Sequence, residues 1–134
     1  MRGHDGQVTP QADAVTALLP GRVGLVVRLS AKPGARPAML DALNRYIDRL
    51  DEEPGTESYI VSLDPSDESI VWLHEWFTDD DAYAAHRDSA PFAALMSELP
   101  AHLADGPGVM RLDPLRLHLS AGLLAGDGTL DLAE

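Results

Sequence analysis

The feature that most constrains the fold is the order in which the spacing of apolar residues changes along the chain. Two-residue spacing and short β-branched runs predict strands, whereas three- to four-residue spacing predicts amphipathic helices. Strands are predicted at Val23–Leu29, Glu57–Leu63, Ser69–Phe77 and Val109–Leu119, and helices at residues 38–53, 79–88 and 91–103. The resulting β-α-β-β-α-(α)-β order predicts an α+β fold of the ferredoxin-like type, in which helices cover one face of an antiparallel sheet.

The two ends of the chain differ in composition from this central part. Residues 1–20 mix Gly, Pro, Gln and Asp around one short apolar patch, and residues 121–134 contain no clear element. We therefore expect a flexible N-terminal arm at residues 1–20, one domain at residues 21–120 and a C-terminal tail at residues 121–134.

Composition argues against several classes of function. The chain has no cysteine, which excludes thiol catalysis, Cys-ligated zinc and iron–sulfur clusters. Its net charge of −12 repels phosphate backbones, so nucleic acid is not an expected partner. No apolar run approaches the roughly 18 residues of a membrane span, and the N-terminus lacks the basic-then-apolar order of a secretory signal. We expect a cytoplasmic protein that binds neither a membrane nor a metal.

The strand Ser69–Phe77 carries apolar or aromatic residues on both of its faces. Ile70, Trp72 and Trp76 alternate with Val71, Leu73 and Phe77. Helices can cover only one face of the sheet, and the other face would expose a large apolar patch. This pattern predicts a homodimer in which two sheets stack on each other.

A series of short motifs carries a resemblance to a known family. The motifs are Glu53-Pro54-Gly55-Thr56 followed by Tyr59, then Asp64-Pro65, Val71-Trp72-Leu73-His74-Glu75-Trp76, Ala82-Tyr83-Ala84-Ala85-His86 and Ser89-Ala90-Pro91-Phe92. In this order they resemble the antibiotic-biosynthesis-monooxygenase family over about residues 22–118. The resemblance implies a dimeric α/β barrel of two ferredoxin-like protomers, each with a small pocket between sheet and helices. It also implies oxidation of quinols or anthrone-like polyketides by molecular oxygen, without flavin or metal.

A heme-degrading branch of the same family fits this chain poorly. That branch has an Asn in the first strand, a Trp in the helix and an iron-ligating His in the next helix. The corresponding positions here are Val27, His86 and Met96. We therefore expect the quinol- or anthrone-oxidising type, with oxygen as co-substrate and no cofactor.

Two further departures concern the third strand and the helix after it. The family often has Glu two residues before the final Trp of the strand, and His74 occupies that position in this chain. Glu75 is displaced by one residue, and one extra residue separates Trp76 from His86.

The candidate catalytic residues are His74, His86 and Trp76. A cofactor-free oxygenase must remove a proton from its substrate, hold the anion against an apolar wall and exclude water. Histidine is the side chain whose ordinary pKa suits a base near neutrality. Two-residue alternation puts Trp72, His74 and Trp76 on one strand face, so His74 would lie in an aromatic slot if that face looked toward the helices. The predicted substrate-binding residues are Trp72, Tyr83, Tyr59, Phe92 and Met96.

Each candidate also has a structural interpretation. His74 could lie in the dimer interface, and His86 could cap the carbonyls at a helix end. Trp76, Tyr83, Phe92 and Met96 could serve packing alone. Two other functions remain open: a polyketide cyclase or isomerase in the same pocket, and a non-enzymatic small-molecule-binding dimerisation module.

Overall fold

The computed structural model of the chain describes residues 14–124. These residues separate into two compact units, one of residues 21–114 and one of residues 14–20 and 115–124. The strands are β1 Ala14–Leu18, β2 Val23–Ser30, β3 Thr56–Leu63, β4 Ile70–Phe77, β5 Gly108–Leu112 and β6 Arg116–Ser120. The helices are α1 Arg36–Ile47, α2 Asp80–Asp88, α3 Ala90–Glu98 and α4 Ala121–Leu124, with 3-10 turns at Leu50–Glu52 and Leu99–His102.

The larger unit is a four-stranded sheet with the order β3-β4-β2-β5. All neighbouring strands are antiparallel. Side chains of α1 and α3, among them Met39, Leu43 and Leu95, join those from one sheet face in a single buried core. The predicted ferredoxin-like α+β fold is therefore confirmed.

Local sequence explains where the helices begin and end. Pro37 lies in the first turn of α1, where a missing N–H costs no hydrogen bond. The Asp79 carboxylate caps α2 by accepting a hydrogen bond from the Ala82 N–H at 2.8 Å. Ser89 ends α2 and caps α3, because its hydroxyl accepts from the Phe92 N–H at 3.2 Å. The first helix was predicted to continue to residue 53, but α1 ends at Ile47 and the chain tightens into a 3-10 turn before Pro54.

The predicted last strand, Val109–Leu119, is divided into two strands. β5 pairs with β2 in the four-stranded sheet, whereas β6 pairs with β1 in a separate two-stranded sheet. Pro114 lies between them, and proline has no N–H to continue a ladder. The N-terminal segment predicted to be an arm thus includes a strand at Ala14–Leu18. Residues 1–13 and 125–134 lie outside the described part of the chain.

None of the helices within residues 14–124 is long and apolar enough to cross a membrane.

Candidate active site

The two faces of β4 have different surroundings. Val71, Leu73, Glu75 and Phe77 are buried toward the helices. Trp72, His74 and Trp76 point to the opposite face, which we call the outer face of the sheet. His74 is exposed there, so the condition for its predicted position in an aromatic slot beneath the helices is not met.

The two tryptophans of β4 are half-buried on this outer face. The Trp72 indole N–H donates a hydrogen bond to the Asp64 carboxylate at 2.9 Å. This bond lowers the pKa of Asp64 to about 2, with help from hydrogen bonds donated by Ser66. Trp72 thus fixes the turn between β3 and β4, and neither tryptophan lines the cavity described next.

A cavity of about 180 Å³ lies between the inner face of the sheet and helices α2 and α3. Most of its wall is apolar, which suits an aromatic ligand. Five residues predicted as site residues line it: Tyr59, Tyr83, His86, Phe92 and Met96. The other lining residues are Leu25, Val27, Leu29, Leu73, Glu75, Arg87, Leu95, Leu99, Pro107 and Val109.

His86 is the buried base of this cavity. Its Nδ1 lies 2.8 Å from Oε1 of Glu53, and both side chains are almost fully buried. The carboxylate of Glu53 accepts the Nδ1–H, which leaves Nε2 as the free acceptor of a neutral imidazole. The same arrangement stabilises the imidazolium once Nε2 has taken a proton.

Three hydroxyl groups hold Glu53 in place. The Tyr46 hydroxyl and the Thr56 hydroxyl donate to Oε1 at 3.0 Å and 2.9 Å. The Ser89 hydroxyl donates to Oε2 at 2.9 Å. Tyr46 also lies 2.9 Å from Nδ1 of His86. These contacts connect α1, the turn before β3 and the α2–α3 junction, so the orientation of the imidazole is fixed by several elements at once.

Aromatic rings enclose the imidazole. The ring centroids of Phe92 and Phe77 lie 4.4 Å and 4.8 Å from that of His86. Tyr83 stacks at 6.3 Å, and the Arg87 guanidinium lies 4.3 Å over the Tyr83 ring. The base is therefore largely shielded from bulk water, and its Nε2 lies on the side of Glu75, which also lines the cavity.

Glu75 faces His86 across the cavity. Its Oε1 lies 3.9 Å from Nε2 of His86, and the residue is 5% exposed. Burial, followed by the charge of Glu53, raises the pKa of Glu75 to about 7. Burial and these two carboxylates also raise the pKa of Tyr59 well above its ordinary value, so that phenol stays protonated.

The sequence interpretation did not identify Glu53 and Glu75 as site residues. Glu75 had a detectable signal, because it alternates with Leu73 and Phe77 on an otherwise apolar strand face. Taking Phe77 as the final aromatic of the strand puts Glu75 two residues before it and removes the extra residue before His86.

Within residues 14–124, no group of three or more His, Cys, Asp or Glu side chains is arranged to hold a metal ion.

Comparisons with known proteins agree with this fold. The family profile described as antibiotic biosynthesis monooxygenase matches residues 22–98, and the chain belongs to that family. A provisionally named antibiotic biosynthesis monooxygenase from Caulobacter crescentus superposes with a TM-score of 0.67 and 21% identity, over 72% of this chain and 92% of that one. Rv0793 from Mycobacterium tuberculosis gives a TM-score of 0.65 and 24% identity, over 70% and 95%.

A third solved structure is more similar in sequence. NE2512 from Nitrosomonas europaea, described as a protein of unknown function, has 28% identity and a TM-score of 0.60, over 68% of this chain and 86% of that one. Comparison with curated protein sequences finds no significant match. Membership of the family supports a monooxygenase type of function, an oxidoreductase activity, for the chain.

Proposed function

We propose that the protein is a cofactor-independent monooxygenase that uses molecular oxygen to oxidise a small electron-rich aromatic compound of the quinol or anthrone type. The observation that carries this proposal is the Glu53–His86 pair, whose imidazole lies on the wall of a partly open and largely apolar cavity. A buried, oriented base and an apolar wall are the groups that such a reaction requires from the protein.

The reaction follows from the chemistry of the substrate. His86 takes a proton from the substrate at Nε2, and Glu53 stabilises the imidazolium that forms. The substrate anion is electron-rich enough to pass electrons to molecular oxygen. For an anthrone, a CH₂ group and O₂ become a carbonyl group and water, so no external reductant is needed. The Phe92 and Met96 side chains would hold the aromatic rings.

The size of the cavity favours a compact substrate. A cavity of about 150 Å³ lined by apolar side chains takes up benzene. The cavity of about 180 Å³ therefore suits a single-ring quinol, while a three-ring anthrone would extend toward the exposed side chains of Arg87 and Val109.

We also propose a homodimer formed through the outer face of the sheet. Ile60, Met110 and Leu112 are 53%, 55% and 45% exposed on that face, next to the half-buried Trp72 and Trp76. A patch of this composition is typical of a surface that a second copy covers. His74 would then lie in the interface rather than in the active site.

A second function has its own support. A histidine and a buried carboxyl group in one cavity could also enolise a ketone, as in isomerases where one group acts as the base and another donates a hydrogen bond to the carbonyl oxygen. A polyketide cyclase would need the same two roles. Product mass separates the two activities, because oxygenation adds oxygen whereas cyclisation by condensation loses water.

Oxygen consumption with hydroquinone and anthrone panels tests the proposal. The wild type should consume oxygen under air and convert no substrate under nitrogen. His86→Gln should lower kcat by about 10²- to 10⁴-fold, the contribution of a general base. His102→Gln, a change outside the cavity lining, is the control and should retain full activity. His74→Gln separates the two candidate histidines, since a loss equal to that of His86→Gln would contradict the assignment of His86 as the base.

A further inference from the structure

The carboxyl group of Glu75 makes no hydrogen bond to any of the described residues. Its one ion-pair contact among them is with Nε2 of His86 at 3.9 Å, which is longer than a hydrogen bond. A buried carboxyl group without a hydrogen-bond partner costs stability, and most buried polar groups are paired. Glu75 also lines the cavity, so its missing partner has to come from whatever occupies that cavity.

The distance between the two groups suits one shared atom. Two hydrogen bonds of about 2.8 Å that meet on a single oxygen at about 90–110° span about 4.0–4.6 Å, so a gap near 4 Å lies at the short end of this range. The gap between Oε1 of Glu75 and Nε2 of His86 is 3.9 Å. An oxygen with both a proton to donate and a lone pair to accept would satisfy both groups, and a phenolic hydroxyl has both.

We propose that one phenolic oxygen of the substrate bridges Glu75 and His86. The hydroxyl proton points to Nε2 of His86, and the protonated carboxyl group of Glu75 donates its own hydrogen bond to the same oxygen. When the O–H bond breaks, the proton moves to Nε2 and the phenolate oxygen keeps the hydrogen bond from Glu75. This inference rests on the proposed function and specifies its substrate class as a phenol or quinol that is deprotonated at oxygen.

The surroundings of Glu75 favour a carboxyl group that is protonated below about pH 7. Burial raises its pKa to about 7. The ionisable groups near it are Glu53 in the turn before β3, Tyr59 on β3, Tyr46 on α1, and His86 on α2. Arg111 of β5 is engaged by Asp80 at 3.3 Å, and α3 contributes only apolar side chains to this part of the cavity. Arg87 of α2 also lines the cavity, and its guanidinium lies 4.3 Å over the Tyr83 ring. No arginine or lysine within the described residues forms an ion pair with Glu75, so the cation that would favour its charged form is His86 once that imidazole has taken a proton.

Binding of 2-naphthol tests the bridge without any need for turnover. A simple phenol, whose pKa is near that of tyrosine at about 10, stays un-ionised in water between pH 5.5 and 8.5. The dissociation constant should rise by up to about tenfold per pH unit above pH 7, as Glu75 loses the proton that it donates. The absorption maximum of bound naphthol should also be shifted from that of free naphthol, at the same pH, toward that of naphtholate.

Two substitutions of Glu75 distinguish the contribution of its carboxyl proton to naphthol binding from the contribution of its side-chain volume. Glu75→Gln keeps a neutral donor at every pH, so it should bind naphthol within about threefold of the wild type at pH 6 and should lose the weakening above pH 7. Glu75→Leu fills the same space without a donor and should bind about tenfold more weakly at pH 6, the worth of one hydrogen bond. Glu68→Gln removes a carboxylate from an exposed turn and serves as the control.

Two results would overturn the bridge. One is an unchanged alkaline weakening in Glu75→Gln, and the other is wild-type affinity in Glu75→Leu, each in a variant whose thermal unfolding shows that it is folded. The absence of oxygen consumption with every substrate would instead overturn the proposed oxygenase and leave the naphthol result standing. The two failures are therefore distinguishable.

Discussion

Glu75 lowers the stability of the folded protein, and it also lies on the cavity wall. Its ordinary pKa of 4.5 rises to about 7 in the folded protein, first because of burial and then because of the charge of Glu53. Between these two values the folded protein binds a proton that the unfolded chain has lost. Stability therefore falls as the pH rises from about 4.5 to 7 and is level above that range. Residues that lower stability in this way are concentrated at functional sites.

Replacing Glu75 by Gln should remove this pH dependence. The difference between pKa values of 4.5 and about 7 corresponds to at most about 3 kcal/mol. The stability of Glu75→Gln relative to the wild type should grow by up to that amount between pH 4.5 and 8. Urea unfolding at several pH values measures it, with Glu68→Gln expected to follow the wild type. If the difference in the free energy of unfolding between Glu75→Gln and the wild type does not change with pH, the raised pKa of Glu75 is contradicted.

The sequence predicted the histidine and the aromatic residues of the site but not its two glutamates, Glu53 and Glu75. His86, Tyr83, Tyr59, Phe92 and Met96 were predicted and line the cavity. Tyr83, Phe92 and Met96 lie on helices and Tyr59 lies on β3, where it is paired with Glu75 on the covered face of the sheet. The choice of His74 depended on which face of β4 looks toward the helices. Alternation defines two faces but cannot say which one is covered, and both faces of this strand are apolar. Only the packing of the helices decides that question.

At the scale of the elements, the turn before β3 positions the base. Gly55 lies beneath α2, and a Cβ atom added there would stand 2.5 Å from the Cβ of Ala82. The Gly55 carbonyl accepts a hydrogen bond from the Thr78 N–H at 2.9 Å, just before α2. This close approach brings Glu53, two residues earlier, within 2.8 Å of His86 on the same helix. The glycine of the Glu53-Pro54-Gly55-Thr56 motif is needed for contact with a helix rather than for an unusual backbone angle.

Gly55→Ala should therefore push α2 away from the turn. Overpacking of this kind costs about 1–3 kcal/mol, and it should also weaken naphthol binding because His86 moves relative to Glu53. Ala82→Gly removes the obstructing Cβ, at a cost of about 1 kcal/mol of its own. The double variant should lose less stability than the sum of the two single losses, as thermal unfolding in a double-mutant cycle would measure.

Gly106→Ala is the matched control, because a Cβ there would meet nothing within 4 Å. It should leave both stability and naphthol binding near the wild-type values. Additive losses in the Gly55–Ala82 cycle would show that the two residues do not limit the approach of the helix.

The sequence predicted the individual helices and strands better than it predicted which strands pair with each other. The period of apolar residues predicted β2, β3, β4 and the helices, and the chain follows that order. The segment around Pro114 was predicted as one strand because Leu115, Leu117 and Leu119 alternate with Arg116 and His118 in the run that starts at Val109. Periodicity reports local exposure and cannot show that two halves of one run belong to different sheets.

At the scale of the molecule, the outer face of the sheet carries exposed apolar side chains that nothing among the described residues covers. Ile60, His74, Val26 and Met110 form one row across the four strands. Ile60 and Met110 are more than half exposed, and a single-sided antiparallel sheet normally presents polar residues to water. All groups of the proposed site come from residues 21–114 of one chain. Assembly through this face is therefore expected to affect stability and solubility more than chemistry.

A charge placed on the outer face should separate the proposed dimer. The wild type should elute with a mass twice the 14.4 kDa of one chain in size-exclusion chromatography with light scattering. Ile60→Lys should shift it toward the monomer, because a lysine buried between two stacked sheets would lose its hydration without gaining a partner. Naphthol binding should survive the change, since Ile60 does not line the cavity.

Leu63→Lys provides a control on the same strand. Leu63 is 53% exposed, as Ile60 is, but it is paired with Val71 and so belongs to the opposite face of the sheet. It should leave the mass unchanged. If both lysine variants remain dimeric, the outer face is not the interface. If both become monomeric, added charge or lost stability causes the dissociation, and the result does not depend on which face carries the lysine. Only a monomer in Ile60→Lys together with a dimer in Leu63→Lys assigns the interface to the side of the sheet that carries Trp72, His74 and Trp76.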